Sequence, residues 1–108
     1  YSSPASHHLS KAATAGPRKF YALQYTYVSG MLEKRVPYRE AHLELLNDLS
    51  SKKRCLLGGA FTDGEGAVIF FASRPDAEGF VAKDPYSIAG LVTEFKIRDY
   101  MAVTGSLL

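Results

Sequence analysis

Tryptophan is absent from the 108 residues, and cysteine occurs once, at Cys55. One cysteine closes no internal disulfide, so the chain is not a stapled scaffold and a reducing interior suits it. No run approaches the roughly 20 consecutive apolar residues that cross a bilayer as a helix, so no transmembrane segment is expected. Carboxylates are missing from residues 1–32, which carry Lys11, Arg18 and Lys19; the first acid is Glu33. From there on, ten Lys or Arg face eleven Asp or Glu, so the net charge of +2 comes from the N-terminus. A nearly neutral body lacks the basic face that nucleic acid demands, and nucleic-acid binding is not expected. Metal-ligand spacing is lacking too, because His7 and His8 are adjacent in the tail and His42 stands alone. Gly58-Gly59 and Gly64-Glu65-Gly66 fall in or beside a hairpin, not at a strand-to-helix turn, so no phosphate cradle is present. No cofactor is expected.

What is there is an ordinary globular composition, 46% apolar and 22% charged, in a length that suits one domain. The chain divides into a basic Ser/Ala-rich extension (1–19), a body (20–103) and a short C-terminal tail (104–108). Such an acid-free, Ser-rich, basic N-terminus resembles organellar targeting regions, which suggests a mitochondrial matrix or plastid stroma. An unstructured extension of a cytoplasmic protein is the alternative.

Phe20 to Val28 is rich in aromatic and β-branched residues and reads as a strand. Pro37 suits a first helical turn, and Leu43, Leu45, Leu46 and Leu49 recur at helical spacing through about Lys52. Cys55 to Phe61 and Ala67 to Ala72 are short apolar runs around Thr62-Asp63-Gly64-Glu65-Gly66, a hairpin signal. Ser73 and Asp76 form a capping pair with Pro75 in the opening turn of a second helix. That helix stops near Lys83, since Asp84 precedes Pro85 and is pushed out of the helical region. Leu91 to Val103 is the last strand. The order βαββαβ predicts an α+β, ferredoxin-like fold: a four-stranded antiparallel sheet with two helices on one face.

The first and third strands are apolar on both faces, which suits the two central positions of that sheet. Two helices cover only one face. The other is expected to expose large apolar side chains and to be covered by a second copy of the chain or by another protein partner.

Cys55 reads as a buried, inert thiol. His42 has Leu45, Leu46 and Leu49 at i+3, i+4 and i+7, so it points along the apolar stripe toward the sheet. A neutral imidazole there can serve as a base, with Arg39 one turn before it to bind an anion. Asp84, ending the second helix, is placed to orient the ring if the helices run side by side. A core histidine satisfied by one hydrogen bond is the plainer alternative.

Arg39-Glu40-Ala41-His42-Leu43, then Leu57-Gly58-Gly59, then Asp84-Pro85-Tyr86 with Ala89-Gly90-Leu91, resembles the YciI-related family, over roughly Phe20 to Val103. The resemblance implies a dimeric α/β-barrel and a His-Asp pair lining a small pocket, carried here by His42 and Asp84. It implies substrate contacts from Arg39, Gly59 and Tyr86. It also suggests acid/base chemistry of the lyase or isomerase type on a small, anionic organic molecule. The basic tail and the short hairpin loop depart from the simplest members. They leave an alternative: a non-catalytic accessory subunit of a larger assembly, organellar or not, contacted through the tail or the sheet.

Overall fold

The computed structural model describes residues 17–108. The expectations for the N-terminal extension, including an organellar address and contacts with a larger assembly, fall mainly on residues 1–16 and lie outside the described residues.

Four strands form one antiparallel sheet: β1 (Arg18–Tyr27), β2 (Cys55–Ala60), β3 (Gly66–Phe71) and β4 (Val92–Ala102), in the order β2-β3-β1-β4. The central pair is the one whose sequence is apolar on both faces. In register, Tyr21, Leu23 and Tyr25 of β1 sit opposite Phe71, Ile69 and Ala67 of β3. These residues share the face that the helices cover, and Leu23, Ile69 and Phe71 are fully buried there. β1 begins at Arg18, so Arg18 and Lys19 belong to the sheet and not to the extension.

Between β1 and β2 the chain forms a short helix α1 (Met31–Lys34), a 3-10 turn (Val36–Tyr38) and the longer helix α2 (Arg39–Ser51). Gly30, at φ 75, makes the left-handed step into α1. Pro37 therefore sits in the 3-10 turn and not in α2 itself. Helix α3 (Arg74–Lys83) opens as its sequence predicts: Ser73 Oγ accepts the Asp76 amide at 3.2 Å. It ends at Asp84, which is extended (ψ 122) ahead of Pro85. One further turn, α4 (Pro85–Ile88), follows at once. Helix α2 packs over β2, and α3 packs over β1 and β3. No helix among the described residues is long and apolar enough to cross a membrane.

The sheet face away from the helices is less uniformly apolar than its sequence suggests. Phe20, Leu57, Phe70 and Tyr100 gather at one end, with Phe20 and Tyr100 both edge-on to Phe70. At the other end Gln24 and Thr26 stand opposite Lys96 and Glu94. The C-terminal residues 104–108 run along the apolar end and enclose with it a cleft of about 530 Å³.

Gly66 opens β3 against β1, and a Cβ there would lie 2.5 Å from the Tyr25 carbonyl oxygen. Gly59 has nothing within 4 Å of the same position. Urea unfolding is expected to show Gly66→Ala destabilised by about 1–3 kcal/mol, as overpacking usually is, with Gly59→Ala far milder. Equal effects would contradict the close approach of β3 to β1.

Candidate functional site

Asp84 is fully buried, and its carboxylate is hydrogen-bonded on both oxygens. Because Pro85 forbids a continued helix, Asp84 caps α4, and Oδ1 accepts the Tyr86 amide at 3.1 Å. The same oxygen lies 2.7 Å from His42 Nδ1 on α2, and Oδ2 accepts the Tyr25 hydroxyl of β1 at 2.8 Å. A carboxylate only accepts, so Nδ1 carries the hydrogen and Nε2 is the free nitrogen of the neutral ring. A phenol has one hydrogen, already given to Asp84. Ser87 Oγ, 3.1 Å from the Tyr25 oxygen, is therefore a donor to it.

The imidazole of His42 is held on its faces as well. It stacks on the Tyr86 ring at 3.8 Å and 10°, and Phe80 meets it edge-on at 5.9 Å. His42 is 6% exposed. It lines a cavity of about 210 Å³ together with Tyr27, Arg35, Arg39, Tyr86 and Gly59. That volume is below the range of drug-sized sites and suits a small organic molecule. Arg35 and Arg39 make no ion pair among the described residues. Two unpaired guanidinium groups at one cavity favour an anion.

All five residues singled out from the sequence meet here, but their parts differ. His42 and Asp84 are bonded directly; Tyr86 supports the ring by stacking and caps the carboxylate with its amide. Arg39 and Gly59 line the cavity. Gly59 is not demanded by crowding, whereas a Cβ on Gly58 would come 3.3 Å from Ile69. Three further residues escaped the sequence reading: Tyr25, Tyr27 and Arg35. Arg35, Arg39 and His42 stand at i, i+4 and i+7, a helical spacing that the proline between them disguises. Cys55 is buried and free, and burial pushes its thiol up. Among the described residues, no three His, Cys, Asp or Glu side chains are grouped to hold a metal ion.

With this geometry in view, the comparisons with known proteins fall into place. The family model of the YCII-related domain matches residues 19–101. The chain belongs to the YCII-related domain family. Within solved structures, this YCII-related chain is similar to 5-chloro-2-hydroxyhydroquinone dehydrochlorinase from Burkholderia phenoliruptrix, determined in complex with 2,5-dihydroxybenzoquinone. The TM-score is 0.64 and the identity 22%, covering 75% of this chain and 92% of that one, a likeness of fold. A search of curated proteins returns no match.

Burial pushes the phenols of Tyr25 and Tyr27 well up from the ordinary tyrosine range and raises that of Tyr86 against the pull of Arg35 and Arg39; the negative charge of Asp84 adds to all three. The unfolded chain releases these protons near pH 10 while the folded one keeps them. Their contribution to stability is therefore complete below about pH 10 and is lost as pH rises further. A spectrophotometric titration is expected to leave Tyr25 and Tyr27 protonated in the folded protein at about pH 11, and to release them when urea is added. Ionisation of all seven near pH 10 without unfolding would contradict this site.

Proposed function

We propose that the protein is an acid/base enzyme of the lyase or isomerase type acting on a small anionic organic molecule. The observation that carries this reading is the 2.7 Å contact of His42 with Asp84 at the wall of a cavity that Arg39 also lines. His42 Nε2 takes a proton from the substrate. Asp84 keeps Nδ1 protonated and offsets the charge of the imidazolium that forms. Stacking on Tyr86 keeps the ring from turning as it gains charge. Arg39, with Arg35 beside the same cavity, holds a carboxylate or another anionic oxygen. Gly59 offers backbone to the ligand.

One base suffices for either reaction. In an elimination the electron pair left by the proton expels the leaving group as an anion; in an isomerisation the imidazolium returns the proton to a different atom. The fold neighbour is a dehydrochlorinase, an enzyme that removes hydrogen and chloride from one molecule, which supports the elimination form. The same reading places a second copy of the chain on the open sheet face, over Phe20, Leu57, Phe70 and Tyr100. Large apolar side chains gathered on one face favour such cover.

The test is a panel of small organic acids and hydroxylated quinones in deuterated water, followed by NMR for deuterium uptake or anion release. Histidine 42 to alanine (His42→Ala) is expected to lower turnover of any responding compound at least about 100-fold, the usual share of a general base. The variant should still sediment at twice the chain mass. Turnover that survives in His42→Ala would refute the mechanism.

A further inference from the structure

Tyr27 closes β1 at a point where the register against β4 slips by one residue, between Thr26 and Tyr27. Irregularities of this kind re-aim side chains and are frequent beside functional sites. Tyr27 is 7% exposed, meets Tyr86 edge-on at 6.0 Å and lines the cavity that holds His42, Arg35 and Arg39.

Its neighbour on the same strand face makes the contrast. The hydroxyl of Tyr25 donates to Asp84 and pairs with Ser87. The hydroxyl of Tyr27 has no side-chain or backbone partner among the described residues. Buried hydroxyls are nearly always hydrogen-bonded, because an unpaired one forfeits the bonds it made to water. One that borders a cavity is satisfied by what enters the cavity.

We propose that Tyr27 is a ligand-anchoring residue: its hydroxyl donates a hydrogen bond to an anionic oxygen of the substrate, a carboxylate, enolate or phenolate, whose charge Arg35 shares. This rests on the cavity being the ligand site proposed above. Burial keeps the phenol protonated at neutral pH, and the Arg35 charge, which acts on it in the opposite sense, is close enough to be felt. A neutral phenol beside two guanidinium groups presents hydrogens, so the complementary ligand is rich in acceptors. An ammonium ligand would face two like charges, with the Asp84 carboxylate already engaged by three donors. The substrate is therefore anchored by its oxygen at Tyr27 while the hydrogen to be removed faces His42.

Tyr27→Phe deletes only the oxygen, and two readings of it separate an anchor from a packing residue. Without ligand, the variant is expected to melt close to wild type, since water entering the cavity is the only partner its hydroxyl loses. Tyr25→Phe is expected to melt lower, since it strips a donor from Asp84. With benzoate as the probe, followed by NMR titration, Tyr27→Phe is expected to bind about ten-fold more weakly than wild type. A melting temperature of Tyr27→Phe lowered as far as that of Tyr25→Phe, an unchanged benzoate affinity, or no benzoate binding by the wild-type protein would each overturn the proposal. His42→Ala keeps the two readings apart. If benzoate binding depends on Tyr27 but no compound of the panel exchanges a proton, the acid/base reading fails and the anchor stands. If exchange depends on His42 but benzoate affinity ignores Tyr27, the anchor alone fails.

Discussion

A carboxylate with no exposure to water has to be surrounded by donors, and at Asp84 that requirement organises the centre of the molecule. Isolated burial of such a charge costs several kcal/mol even after relaxation. Three donors meet it, and each comes from a different element: the Tyr25 hydroxyl from β1, the His42 ring from α2 and the Tyr86 amide from α4. Removing Asp84 would take the acceptor from all three at once, and only the Tyr25 hydroxyl has another partner at hand, Ser87. The break at Pro85 is what makes the arrangement possible, because it ends α3 and turns the carboxylate into the cap of the next turn.

The same contacts shape the chemistry. A histidine held at Nδ1 by a buried carboxylate presents Nε2 in one tautomer and one orientation. Its ring lies flat on Tyr86, so Nε2 has its position before anything enters the cavity, as the proposed role of a base requires. The central strands give the platform: Tyr27 of β1 lines the cavity with Ala67 and Ile69 of β3, and Tyr25 pairs in register with Ala67. Arg35 and Arg39 reach the cavity from the segment between β1 and β2. Both guanidinium groups line the cavity while the Asp84 carboxylate is engaged by its own three donors, so the net character of the cavity favours anions.

Most of the fold was legible because its signals are local. The two-faced apolar runs at Leu23 and Ile69, the Ser73–Asp76 cap and the Asp84-Pro85 stop each depend on a few neighbouring residues. Helices α1 and α4 were not legible, since four residues are too few to show a period. The 3-10 turn took Pro37 out of α2 for the same reason: proline fits both. In the site, His42 betrayed itself by standing on an apolar stripe, and the family resemblance tied it to Asp84, Arg39, Gly59 and Tyr86. Tyr25 and Tyr27 stayed hidden because alternating tyrosines on a strand look like core. The partner of Tyr25 lies 59 residues away, beyond any local pattern. The open sheet face was read as more apolar than it is, because Gln24, Thr26, Glu94 and Lys96 meet only once the strands are in register.

The central claim is that Asp84 fixes the state of the His42 ring, and nitrogen NMR of the labelled imidazole measures that directly. The account predicts that the neutral form of the ring carries its hydrogen on Nδ1 in the wild-type protein, and that Asp84→Ala loses that single tautomer. A wild-type ring carrying its hydrogen on Nε2, or one indifferent to the loss of the carboxylate, would contradict it.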